Sequence, residues 1–214
     1  MKSKGVWKDS CPMKIEDLML LKIPYYDFNG NVKTGNLVIL KPLSKRIASI
    51  FNELFQIKFP IHSIDTIDRY HGDDERSMEA NNTYGFCCRK DLGSDELSSH
   101  SFGIAIDINP LQNPYISHDG KVYPKLGIEF LDRANIRPGM VDNIVNIFQK
   151  YGFEWGGNWK NPDYQHFQLE KNIGIKITTV GEFRFPLNIE GFPFRYSNKP
   201  SSPTRKVHQS EGGS

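Results

Sequence analysis

The chain has 214 residues, of which 38% are hydrophobic, 12% aromatic and 24% charged. That balance suits a globular domain with a sizeable core and excludes a disordered or fibrous chain. The net charge of +2 comes without a dense Lys/Arg block, which argues against a nucleic-acid partner, and no stretch approaches the roughly 20 apolar residues that a membrane span needs.

Lys2, Lys4 and Lys8 open the chain, but the nearest apolar run, Leu18 to Ile23, is short and broken by Lys22, so no secretory leader is expected. Tyr25-Tyr-Asp-Phe28 and Gly35-Asn-Leu-Val-Ile-Leu40 flank Asn29-Gly-Asn and predict strand, turn and strand. From Leu43, Ile47, Ile50, Phe51, Leu54 and Phe55 recur at helical spacing, predicting a helix to about Ile57 that Pro60 stops. Ile61 to Ile67 reads as a short strand from its β-branched content, and Asp68 to Arg76 as a charged loop. A second extended stretch is expected over Thr83 to Arg89.

Ser98 to Asn109 reads as a turn entering a strand, because Ile104, Ile106 and Ile108 alternate with Ala105, Asp107 and Asn109. One face belongs to the core and the other is free to carry a site. Asn109-Pro, Asn113-Pro, His118-Asp-Gly and Tyr123-Pro punctuate a long connection, and loops of that length tend to be functional. A helix is predicted from about Pro138 to Tyr151, with Gly152 past its end, followed by the loop Trp155-Gly-Gly-Asn-Trp159 and a strand from Asp163 to Leu169. One domain over residues 1–185 is expected, then a flexible tail over 186–214, rich in Pro, Ser, Lys and Arg. There are no evident internal repeats.

The three cysteines, Cys11, Cys87 and Cys88, form no even framework, and adjacent Cys87 and Cys88 would point to opposite faces of an extended segment. They are expected to be small buried apolar side chains, neither disulfide-bonded nor a metal clamp. The fold class predicted is α+β, with a small antiparallel sheet carrying a metal site and helices packed on its other face.

Two segments bring metal-type ligands together. His100 sits in the turn before the strand, and Asp107 lies on the strand face that excludes the isoleucines. His166 shares a strand face with Gln168 while Phe167 and Leu169 face the core. Three protein ligands and an open fourth position are what catalytic zinc requires. Asp163, three residues before His166, is within reach to serve as a general base without being a ligand. Taken singly, each of these residues has an ordinary structural role, so the pattern alone leaves both readings open.

The run Ser98-Ser-His-Ser-Phe-Gly-Ile-Ala-Ile-Asp107, with Trp155-Gly-Gly-Asn-Trp159 and Asp163-Tyr-Gln-His166, resembles the D-alanyl-D-alanine carboxypeptidase family of zinc peptidases. That family includes VanY-like carboxypeptidases and the L-alanyl-D-glutamate peptidases of phage endolysins. Ser77-Met-Glu-Ala-Asn-Asn-Thr-Tyr-Gly-Phe-Cys-Cys-Arg89 and Asp107-Ile-Asn-Pro-Leu-Gln-Asn-Pro-Tyr115 extend the similarity to about residues 20–170. The resemblance implies Zn2+ held by His100, Asp107 and His166, Asp163 as the catalytic acid residue, and Arg89 as the arginine that steadies substrate or oxyanion. Ser98, Trp155 and Trp159 are expected beside the substrate, Ser98 by holding the His100 loop and the tryptophans by walling the cleft or, equally, anchoring the core.

The implied activity is cleavage of peptidoglycan stem peptides, first as a D-Ala carboxypeptidase. The alternatives are an L-Ala–D-Glu endopeptidase, or a non-catalytic zinc-stabilised binding module of the same fold. Peptidoglycan peptides are the expected partner and a monomer the expected state. Glu154 reads as a solvated carboxylate, and His62, His71, His118 and His208 receive no role.

Overall fold

A computed structural model describes residues 6–91 and 94–170; the expected C-terminal tail and His208 lie outside the described residues. The chain opens on a long antiparallel hairpin, β1 (Leu18–Tyr26) and β2 (Val32–Leu40), in register from Leu18 opposite Leu40 to Tyr26 opposite Val32. Its turn is closed by Asp27, whose Oδ1 accepts from the backbone N–H of Asn29 and Asn31, both at 2.9 Å. The sequence places this hairpin correctly, although the first strand begins well before Tyr25.

Helix α1 (Ser44–Gln56) lays Ile47, Ile50, Phe51 and Leu54 onto the hairpin, as their spacing predicts. The charged stretch after Ile67 is more ordered than a loop: a 3-10 turn at Ile67–Tyr70 precedes α2 (Asp74–Glu79), where Asp73 caps the first turn by accepting from Arg76 N at 3.1 Å. Before and after them, β3 (Ser63–Ile64) and β4 (Asn82–Thr83) form a short parallel pair.

The sheet that matters for function has three antiparallel strands in the order β5 (Ala105–Asp107), β9 (His166–Leu169), β8 (Phe153–Trp155). Ile106 and Phe167 are fully buried on one face. Against that face packs α3 (Val145–Lys150), with the Phe148 and Phe167 rings stacked at 3.8 Å. Helix on one side and polar side chains on the other is the predicted layering.

The helix expected over 138–151 is reduced to a 3-10 turn at Asp142–Ile144 followed by α3. The reason is that the long connection claims the first part of the segment. Val141 N donates to Asn113 Oδ1 at 2.9 Å, Asn113 Nδ2 donates to Gly139 O at 2.9 Å, and Asp142 is gripped by Arg133. With those backbone groups satisfied from outside, no helical ladder is needed to satisfy them. The connection itself carries a small hairpin, β6 (Tyr115–Ile116) and β7 (Val122–Tyr123).

The cysteines correct the sequence reading. Cys11 and Cys88 form a disulfide, while Cys87 is free and buried beside Val6, Ile67 and Tyr84. The two neighbours do point apart, but the fold carries the segment before Met13 back to the stretch that holds Cys88, which pairs it with a residue 77 positions away. A cross-link of that span restricts the unfolded chain enough to contribute about 4 kcal/mol. Reduction, or Cys11→Ser, is therefore expected to lower the unfolding free energy by about that amount in urea titrations. An unchanged midpoint under reductant would show that the pair is not bonded in solution.

Candidate metal centre

Asp107 and His166, 59 positions apart in sequence, are direct cross-strand partners at the ends of β5 and β9. Antiparallel register thus sets two of the predicted ligands side by side on the face away from α3. His100 arrives from the preceding 3-10 turn (Ser99–Phe102), which Ser98 caps by accepting from His100 N at 3.4 Å. Gly103 ends that turn at φ +66, a conformation that suits glycine; its own carbonyl accepts from Leu40 N at 2.8 Å and a Cβ there would lie 2.7 Å from that nitrogen. The turn is stapled to the extended segment before it as well, since Ser101 Oγ donates to Arg89 O at 2.6 Å.

The three side chains converge on one point. His100 Nε2 is 3.1 Å from Asp107 Oδ1 and 3.1 Å from His166 Nδ1, and His166 Nδ1 is 2.9 Å from Asp107 Oδ1. Metal bonds of about 2.0 to 2.1 Å in a tetrahedron give ligand separations of about 3.3 Å, so the cluster needs to open by only a few tenths of an ångström to hold an ion. Each ring has its other nitrogen committed elsewhere. His100 Nδ1 donates to Gly85 O at 2.6 Å, and His166 Nε2 lies 3.2 Å from both Ser99 Oγ and Gln168 Oε1. The two histidines therefore present opposite nitrogens, Nε2 and Nδ1, to the same point. Tyr84 stacks on the His100 ring at 4.8 Å and closes its other side.

All three residues are buried. Burial pushes the Asp107 carboxyl up, but the adjoining His100 and His166 overcome it and hold the group well below the usual carboxylate range. Burial pushes His166 down, and its hydrogen bond to Asp107 outweighs this, leaving the imidazole at about 9 without a metal. A buried carboxylate and two imidazole nitrogens converging on one point form a donor set that a cation can bridge. Among the described residues this is the one cluster of His, Cys, Asp or Glu side chains able to hold a metal ion.

The cluster forms the floor of a cleft of about 510 Å³, whose walls include Arg89, Ser98, Trp159, Asp163, Tyr115 and Gln165. Asp163 is placed by its backbone: its N–H donates to Gly156 O at 3.0 Å and its carbonyl accepts from His166 N at 3.2 Å. A Cβ at Gly156 would come within 2.7 Å of Asp163 O, so the first glycine of the Trp-Gly-Gly run is what lets the two segments meet. Asp163 Oδ1 is shut from solvent and has no hydrogen-bond partner among the described residues. Burial raises the carboxyl to about 7, and the Asp107 charge adds to this against the opposing pull of His166, Gln165 and Arg89.

Arg89 reaches the same cleft, but its Nη2 is already paired with Asp74 Oδ2 at 2.8 Å and lies 3.3 Å from the Tyr84 hydroxyl. Its buried Nε is left without a partner among the described residues. Trp159 is half-exposed on the cleft wall with its ring 5.3 Å from that of His166. Trp155 is not brought there. Its indole N–H donates to Tyr164 O at 2.8 Å and its ring lies over Phe167, so of the two expected placements the core anchor is the observed one.

Several site residues escaped the sequence reading. Ser99 and Gln168 meet His166, and Glu154 is not a free solvated carboxylate but accepts from Gln168 Nε2. Gln165 and Tyr115 on the cleft wall were also missed. The only signal for any of them was Gln168, two residues from His166 on the same strand face.

An α+β domain with three buried donors converging at the floor of a cleft, beside a carboxyl held near neutrality, has the arrangement of a metal-dependent hydrolytic site. Comparison with known families agrees. The profile of the D-alanyl-D-alanine carboxypeptidase family matches residues 92–169, which take in His100, Asp107, Asp163 and His166. The chain resembles that peptidase family over this segment. Comparison with curated proteins and with solved structures found no match. The profile match begins after Arg89, whose assignment therefore rests on its place in the cleft. No helix among the described residues is long and apolar enough to cross a membrane.

Proposed function

We propose that this protein is a zinc peptidase that removes the terminal D-Ala from peptidoglycan stem peptides. The observation that carries the reading is the meeting of His100, Asp107 and His166 at one point in the same cleft as Asp163, whose buried Oδ1 has no partner among the described residues. The donor set, two imidazole nitrogens and one carboxylate oxygen, suits zinc better than magnesium or calcium, which prefer all-oxygen shells. Bound there, zinc would supply Lewis acidity for the scissile carbonyl and for a water nucleophile.

The chain's own residues do the rest. Asp163, near 7 in the metal-free protein, takes the proton from the attacking water and returns it to the leaving amine. Arg89, fixed by Asp74 and Tyr84 on the cleft wall, brings a guanidinium charge to bear on the developing oxyanion or the substrate's terminal carboxylate. Trp159 supplies an apolar wall next to His166, and Ser98 holds the His100 turn.

The test is mass spectrometry of defined muropeptides after incubation with the zinc-loaded protein. Loss of a single alanine from pentapeptide stems is the expected result. Release of the stem from its sugar-proximal alanine would instead assign an L-Ala–D-Glu endopeptidase. Zinc-loaded protein that leaves every stem intact would reduce the domain to a binding module.

A further inference from the structure

Glu154 lies directly opposite Gln168 across β8 and β9, while His166, two residues earlier on β9, faces Asp107 across β5. This places a carboxylate, an amide and an imidazole in one row. We propose that Glu154 and Gln168 are positioning residues that fix the tautomer of His166, and so determine which of its nitrogens is offered to the metal; the inference rests on the metal-dependent reading above.

The argument is one of donors and acceptors. A carboxylate can only accept, so the Gln168 amide must turn its NH2 toward Glu154 Oε1. That orientation leaves Gln168 Oε1 facing His166 Nε2 at 3.2 Å. An amide oxygen also only accepts, so Nε2 must carry the proton. With an ion in place of the proton that Nδ1 otherwise shares with Asp107 Oδ1 at 2.9 Å, Nδ1 is the nitrogen with a lone pair to give at the convergence point. The Ser99 hydroxyl, 3.2 Å from Nε2, can accept or donate and so follows the choice without making it. His100 needs no such relay because a backbone carbonyl, Gly85 O, sets its tautomer directly. The preference at His166 is thus dictated from Glu154, a residue that touches neither the ligand atoms nor the convergence point.

Zinc affinity, measured by chelator competition, is the primary readout, with ring 15N chemical shifts of His166 in the loaded protein as the second. Gln168→Leu deletes the acceptor and is expected to weaken zinc binding about 10- to 100-fold. Glu154→Gln frees the amide to flip and is expected to weaken it about 10-fold. The exchange Glu154→Gln with Gln168→Glu restores a carboxylate that accepts from Nε2 and an amide that donates to it, and should recover affinity to within about threefold of wild type. The wild type and the exchange variant should both show a protonated Nε2. Wild-type zinc binding with undiminished affinity in Gln168→Leu and Glu154→Gln, or failure of the exchange variant to recover, would overturn the relay alone. Wild-type protein that binds no zinc would remove the metal site, and the relay's role with it.

Discussion

Asp163→Asn is expected to lower kcat by about 10²- to 10⁴-fold while the protein keeps its zinc. Asparagine preserves shape and size at a position where the backbone, through Gly156 O and His166 N, does the placing, so the cleft should persist. What is lost is the basicity of a carboxylate that has Oδ1 buried and unpartnered. The pH profile gives a second reading of the same group. A carboxyl raised to about 7 is protonated, and useless as a base, below that pH, so kcat/KM should rise with pH and level off once the group is ionised. A bound dication favours the charged form and moves the midpoint below 7. The residual activity of Asp163→Asn should lack this limb. Loss of zinc together with activity would instead make Asp163 part of the metal site, and a limb that survives the substitution would assign it to another group.

Much of this site could be read from the chain because two of the proposed ligands lie within one turn and strand. His100 and Asp107 are seven residues apart, and the alternation of Ile104, Ile106 and Ile108 says which face Asp107 takes. His166 is different. Its strand face follows from Phe167 and Leu169, but that it stands opposite Asp107 is a matter of register between β5 and β9, which local pattern does not encode. Family resemblance supplied that step. The same limit hid Glu154: its place opposite Gln168 depends on the register of β8, and an acidic residue before a glycine pair has no local mark of a cross-strand partner. Cys11 and Cys88 show the limit again, since their meeting depends on where the fold returns a segment 77 residues away. Trp155 and Trp159 look equivalent in sequence, yet β8 directs one to the core and the following turn leaves the other on the cleft.

Stripping the protein with a chelator should abolish activity and also lower its melting temperature, and the two effects have one origin. In the metal-free state Asp107 is a buried carboxylate held between the His100 and His166 rings. An ion that binds the folded chain and not the unfolded one stabilises it by about 4 kcal/mol at a concentration a thousand times its dissociation constant. For a domain of this size that corresponds to a rise of roughly 8 to 16 °C in Tm, well within reach of calorimetry. Zinc should restore both activity and Tm, whereas magnesium should restore neither, because it demands an oxygen-rich octahedral shell that two imidazole nitrogens do not provide. Asp107→Ala should fold with its β5–β9 backbone pairing intact, yet show no zinc-dependent shift, since the only anionic donor of the set is gone. A zinc-dependent rise in Tm that persists in this variant would place the ion elsewhere on the chain and separate His100 and His166 from any metal.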